Sequence, residues 1–209
     1  MWARRDVVTQ IIDAGRRFYN IFFRRLLLKH IAPHKEMIEL GCGSATLAIA
    51  LGARLKTLVG VDLSEEAIKI SQAYAQHNSI DAEFIHADIF NLPENLKGRF
   101  DLVWSQGLME HFEDYAAVIR AHYEVAKPGG TILISVPFKY SYIYLWYLFT
   151  RNEFLKHFWP YADQKFLTHR ELCELGPRFS KHSPVYLLPP SFLGLLLGII
   201  ILEIKKDHA

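Results

Sequence analysis

The sequence predicts an α/β fold: a largely parallel sheet with helices on both faces. Three observations carry this. Short apolar strands alternate with helix-like stretches at spacings that allow crossover connections. The last two strand candidates are continuous apolar runs, as expected of strands buried on both faces. A pair of glycines follows the first strand, where the chain must turn sharply into a helix.

In order, residues 5–30 form one or two helices, with Val8, Ile11, Gly15, Phe18, Phe22 and Leu26 as an apolar stripe that Pro33 ends. Residues 35–40 are a strand, 41–44 a turn and 45–55 a helix rich in Ala and Leu. A second strand covers 57–61. Ser64 then caps a helix through Asn78, with Glu65 and Glu66 favourable in its first turn. Residues 82–86 and 100–104 are the third and fourth strands. A helix over 114–126 ends at the turn Lys127-Pro128-Gly129-Gly130, and the Ile-rich strand 131–136 follows. Thr168 and Glu171 form a capping box opening a short helix to about Leu175. Residues 185–188 and 195–204 are two last strands joined through Pro189-Pro190. The apolar run 192–202 is far shorter than the ~20 residues a membrane-spanning helix needs.

The chain has 209 residues, a length that fits one domain with its own core. With 51% hydrophobic and 22% charged residues it is not a disordered polymer. Two cysteines make no disulfide framework and suit a reducing compartment. The net charge of +2 does not suit an electrostatic nucleic-acid binder. It conceals an asymmetry: residues 1–30 hold seven basic and two acidic residues, or +5, which leaves −3 for the rest. The start of the chain lacks the pattern of a signal peptide, so a cytoplasmic location is expected. Three roles stay open for this basic segment: a cap over a ligand mouth, a solvated helix packed on the fold, or an interfacial helix giving peripheral membrane contact.

The chemistry concentrates at the C-terminal ends of the strands, where open α/β sheets bind ligands. The first strand ends Glu39-Leu40-Gly41-Cys42-Gly43-Ser44. Thr46 occupies the third-glycine position of a dinucleotide fingerprint. A carboxylate at Glu39 suits a cationic or amine-bearing ligand better than a pyrophosphate. Both features disfavour a nicotinamide-dependent oxidoreductase. Asp62, at the second strand's end, lies 21 residues past Gly41, the place of a ribose-binding acid. Asp88 can accept from an exocyclic amine, and Ile89 can cover a base. Cys42 has no base beside it in sequence and is a small turn residue rather than a nucleophile. No zinc-like spacing of His, Cys and Asp is present.

In these motifs the chain resembles the class I S-adenosylmethionine-dependent methyltransferases, in particular those that methylate small molecules. The resemblance covers residues 35–137 well and 168–205 loosely. It implies a Rossmann-like three-layer sandwich with seven strands, the last antiparallel, and S-adenosyl-L-methionine as cofactor. Glu39, Gly41, Cys42 and Gly43 resemble the loop around the methionine part. Asp62 and Leu63 match the ribose position, Asp88 and Ile89 the adenine contacts. Ser105 and Gln106 match the residues bordering the methionine end, and Lys127–Gly130 the turn before the fifth strand. Ser105-Gln106-Gly107-Leu108 stands where methyltransferases of exocyclic nitrogens carry Asn/Asp-Pro-Pro-Tyr, so nucleic acid is not the expected acceptor. Glu110 and His111 follow the fourth strand as candidate catalytic residues. For His111 a general base and a structural role both stay open. Some relatives that O-methylate quinone precursors carry such a Glu-His pair. A non-catalytic cofactor-binding module remains the alternative.

The chain has 28 aromatics, and 11 lie within residues 138–161: Phe138, Tyr140, Tyr142, Tyr144, Trp146, Tyr147, Phe149, Phe154, Phe158, Trp159 and Tyr161. Residues 138–167 are therefore expected to form an aromatic cover over a small, apolar or aromatic acceptor, with oxygen favoured over nitrogen or carbon.

Overall fold

A computed structural model of the chain describes residues 19–141, 144–145, 147–148, 165–188 and 198–208. Its centre is a seven-stranded sheet of order β3-β2-β1-β4-β5-β7-β6. The strands are β1 (Glu36–Leu40), β2 (Thr57–Asp62), β3 (Glu83–His86), β4 (Phe100–Gln106), β5 (Ala126–Pro137), β6 (Val185–Leu188) and β7 (Ile199–Lys205). β1 to β5 pair in parallel, while β7 runs antiparallel to both β5 and β6. The chain moves outward from β1 through β2 to β3, then returns to place β4 on β1's other side. That reversal opens a crevice at the C-terminal ends of β1 and β4.

Among the described residues the main helices are α1 (residues 19–27), α2 (Thr46–Gly52), α3 (Glu65–His77), α4 (Tyr115–Val125) and α5 (His169–Leu175). The Ser64 hydroxyl accepts from Ala67 N at 3.2 Å to start α3, and the Asp114 carboxylate accepts from Ala117 N at 3.0 Å to start α4. α5 opens with the full Thr168–Glu171 capping box.

Two apolar layers hold the sheet. On one face Ile38, Val59, Val103, Ile132 and Ile134 pack with Val118, Ile119 and Val125 of α4 and Leu172 of α5. On the other, Met37, Leu58, Leu102, Trp104, Leu133 and Ile201 pack with α1, α2 and α3. α1 buries Phe23 and Leu27 completely, and Phe23 meets Trp104 edge to face at 5.3 Å between centroids. Of the expected stripe, Leu26 is buried and Phe22 packs half-buried against the same cluster, while Phe23 and Leu27 widen the buried face beyond it. Arg24 and Arg25 are exposed. Residues 1–18, with Val8, Ile11, Gly15 and Phe18, lie outside the described residues.

One element departs from its sequence expectation. Lys127–Gly130 is not a free turn before the strand but an extra stretch within β5, because Phe100 pairs Ala126 while Leu102 pairs Thr131. Gly130 permits it, since a Cβ there would sit 2.8 Å from Lys127 O and 2.9 Å from Phe100 O. β6 has its expected bounds and β7 starts at Ile199; the Pro189-Pro190 connection and residues 191–197 lie outside the described residues. Among the described residues no helix is long and apolar enough to cross a membrane.

Candidate functional site

The sheet gathers most of the predicted site residues on one rim. β1 delivers Glu39, followed by a loop in which Gly41, Gly43 and Ala45 take φ of 65°, 52° and 47°. The φ of Gly41 calls for glycine, and a Cβ there would also have to displace the Leu108 side chain, whose Cδ1 would lie 2.6 Å away. The loop is tied down from three sides. Cys42 N donates to Val61 O at 2.9 Å, Gly43 N donates to Asp62 Oδ2 at 2.8 Å, and Ser71 Oγ donates to Gly43 O at 2.6 Å. Ser71 escaped the sequence reading. Its signal was a hydroxyl on the buried face of α3 between Ile68 and Ala75.

Asp62 has a second task, because its Oδ1 accepts from Ser64 N at 2.9 Å. Each carboxylate oxygen therefore holds one backbone N–H and keeps further acceptor capacity. Leu63 stands beside it, 70% exposed. At the next tip Asp88 Oδ1 accepts from Phe90 N at 3.0 Å, and Ile89 is buried. Cys42 is buried too, and desolvation pushes its thiol far above the usual range, which suits a turn residue and not a nucleophile.

Glu39 is the least expected group here. It is only 4% exposed, and its Oε2 has no hydrogen-bond partner among the described residues. Burial pushes its pKa up to about 8, the nearby Trp104 indole pulls it back, and Asp62 pushes it further up. Trp104 Nε1 sits near the carboxyl without reaching hydrogen-bond geometry. Among the described residues Glu39 is thus a carboxyl without a counter-charge at the bottom of the glycine loop.

Ser105 and Gln106 part company. Gln106 stays half-buried at the end of β4. Ser105 is fully buried, and its Oγ pairs with His122 Nε2 at 2.8 Å. His122 Nδ1 bonds Val118 O at 2.8 Å, and because a carbonyl only accepts, that nitrogen carries the proton. Ser105 therefore donates to Nε2. Burial pushes the His122 pKa down to about 4, against the raising effect of the Val118 bond, so the ring stays neutral. The pair pins β4 to α4. It went unseen in sequence because 17 positions separate its members.

Glu110 and His111 lie on a 3-10 turn, Met109–His111, just past β4. Glu110 is buried at 2% exposure, whereas His111 is exposed. Phe138, Tyr140, Tyr144 and Tyr147 of the aromatic segment are described. Tyr144 and Tyr147 join Phe166, with centroids 5.2 Å and 5.1 Å from it. Tyr142, Trp146, Phe149, Phe154, Phe158, Trp159 and Tyr161 lie outside the described residues.

The family model described as a methyltransferase domain matches residues 37–130, the stretch from β1 into β5. Over that stretch, a little under half of the chain, the sequence is similar to methyltransferase domains, and the fold is the Rossmann-like one of class I S-adenosylmethionine-dependent methyltransferases. A ubiquinone biosynthesis O-methyltransferase of Pseudomonas entomophila is 32% identical over 101 residues, 48% of this chain and 44% of that protein. The namesake of Chromobacterium violaceum is 25% identical over 175 residues, 84% of this chain and 75% of the relative. With the Pseudomonas relative the shared stretch is less than half its length. Among solved structures, geranyl diphosphate C-methyltransferase from Streptomyces coelicolor shares the fold, with a TM-score of 0.65 and 14% identity over 88% of this chain and 77% of that one. That structure is a complex with Mg2+, geranyl diphosphate and S-adenosyl-L-homocysteine.

Proposed function

We propose that this chain binds S-adenosyl-L-methionine at the β1–β4 rim and transfers its methyl group to a small aromatic acceptor, at oxygen rather than nitrogen or carbon. The observation that carries the reading is Glu39: a buried carboxyl with an unpartnered oxygen beside a glycine loop accommodates a cationic amine and disfavours a phosphate. When bound, the sulfonium supplies a methyl group already activated for in-line displacement, so placement supplies much of the rate.

The chain's own residues then divide the work. Glu39 faces the ammonium end, with Gly41, Cys42 and Gly43 offering backbone around it. Asp62 holds the ribose hydroxyls with the acceptor capacity left over from clamping the loop, and Leu63 borders it. Asp88 accepts from the adenine amine and Ile89 covers the base. Gln106 borders the methionine end, and Ser105 supports it from within. His111, exposed on its turn, takes the proton of an acceptor hydroxyl, while Glu110 lies buried behind it. Phe166, Tyr144 and Tyr147 give an aromatic ring a surface to pack against. The name of the relatives supports the preference for oxygen.

Calorimetry decides the cofactor first: S-adenosyl-L-homocysteine is expected to bind and NAD is not, and the reverse would return the chain to oxidoreductase chemistry. Methyl release to phenols, quinols and amines follows, with phenols and quinols expected to react fastest. Cofactor binding with no turnover of any acceptor would favour the non-catalytic module. The Tyr144→Ala variant is expected to raise the acceptor KM about tenfold, the scale of one lost aromatic contact, while Kd for S-adenosyl-L-homocysteine stays within about twofold. Equal losses in both would remove Tyr144 from the acceptor side. Peripheral membrane contact through residues 1–30 and a cytoplasmic location are part of the same proposal.

A further inference from the structure

We propose that Lys165 is a positioning residue, a latch that fixes the acceptor-side aromatic cluster to the turn carrying Glu110 and His111. This rests on the reading of that turn as the reacting side of a methyltransferase. Lys165 reaches the turn in three ways. Its backbone N–H donates to Glu110 O at 3.3 Å, its ammonium donates to Phe112 O at 3.4 Å, and the ammonium also pairs with Glu113.

These contacts are not equal. Glu113 is 93% exposed, so the ion pair with it is screened and contributes little. The bond to Phe112 O is long at 3.4 Å, but it lies at a part-buried carbonyl and is less screened by solvent. Burial, chiefly, pushes the Tyr115 phenol up, Lys165 pulls it back, and Glu171, Glu113 and Glu110 push it further up.

The next two residues give the latch its consequence. Phe166 joins Tyr144 and Tyr147 in the aromatic cluster. Leu167 is buried and locked against the end of β5, its N–H donating to Pro137 O at 3.1 Å and its carbonyl accepting from Lys139 N at 2.9 Å. Phe166 is thus held between two anchors, one on the sheet and one on the 109–113 turn. A ring packed on Phe166 and a proton acceptor on the turn keep a fixed spacing only while both anchors hold. That spacing sets whether an acceptor atom lies in line for transfer.

The test compares full-length wild type, Lys165→Met and Lys165→Arg. Lys165→Met keeps the backbone bond and removes the ammonium. It is expected to raise the acceptor KM about tenfold, the scale of one hydrogen bond to a charged group. Binding of S-adenosyl-L-homocysteine should stay within about twofold, and Lys165→Arg should restore KM. Hydrogen exchange at the amides of His111 and Phe112, which bond Leu108 O and Met109 O, should speed up in Lys165→Met and recover in Lys165→Arg. Unchanged exchange, an unchanged KM, or equal losses of acceptor and cofactor binding would each overturn the latch. If wild type transfers methyl to no acceptor, the functional reading fails, and the exchange measurement still decides the latch.

Discussion

Replacing Glu39 by glutamine is expected to weaken S-adenosyl-L-homocysteine binding by more than about 100-fold, the scale of truncating one partner of a buried charge pair, while stabilising the free protein at alkaline pH. The two effects have one cause. In the free protein the Glu39 carboxyl is held up to about 8, chiefly by burial, against an ordinary value of 4.5. Below pH 4.5 it is protonated whether the chain is folded or not, and its titration does not affect stability. Between 4.5 and 8 the unfolded chain has released this proton and the folded chain retains it. Stability therefore falls as pH rises through that window, by roughly 4 kcal/mol at most at pH 8. Glutamine cannot ionise, so the difference between variant and wild type should be near constant below about pH 4 and grow in the variant's favour from there up to pH 8. Urea midpoints at both ends of the window measure it. Ligand binding reverses the sign: an ammonium beside Glu39 favours the carboxylate, so the wild type should release close to one proton on binding at pH 6.5. Calorimetry in buffers of different ionisation enthalpy reads that proton, and the variant should show none. Tight binding by the glutamine variant would remove Glu39 from the site.

The contrast between Glu39 and Ser105 shows what the sequence could reveal. Strands such as β1 and β6 were legible because a short apolar run bounded by turn residues has few other fates. The rim acids were legible because each sits at the end of such a strand. Ser105 lies on the same strand end as Gln106, yet alternation turns its side chain into the core, where His122 meets it. That meeting depends on how α4 crosses the sheet, which local pattern does not contain. The same reason hid Lys165, 53 positions from its Phe112 partner. The Pro-Gly-Gly of β5 misled for a different reason: those residues favour turns locally, but the β4 pairs on either side, at Ala126 and Thr131, and the bonds of Gly129 and Gly130 to Lys206 hold them in a bulged strand. In α1 the stripe through Phe22 and Leu26 was legible but too narrow, because the contact of Phe23 with Trp104 brings a neighbouring face into the core as well.

Asp62 provides the second large effect, because the two oxygens that clamp the glycine loop are also the ones proposed to hold the ribose. Asp62→Ala removes the acceptors of both Gly43 N and Ser64 N, at 2.8 Å and 2.9 Å. The loss should be about 2–3 kcal/mol of stability for two hydrogen bonds to a charged acceptor at a half-buried site. It should come with loss of measurable cofactor binding, since the glycine loop and the ribose lose their anchor together. That variant alone cannot separate the two roles. Asp62→Asn can: its carbonyl oxygen still accepts one backbone N–H, while its amide group presents donors where the carboxylate presented acceptors. The asparagine variant is expected to recover more than half of the lost stability by urea midpoint and still bind S-adenosyl-L-homocysteine at least about tenfold more weakly than wild type, the worth of one lost charged hydrogen bond. Binding as tight as wild type in a well-folded Asp62→Asn protein would leave the residue as a loop clamp alone. The ribose would then need another holder on the rim.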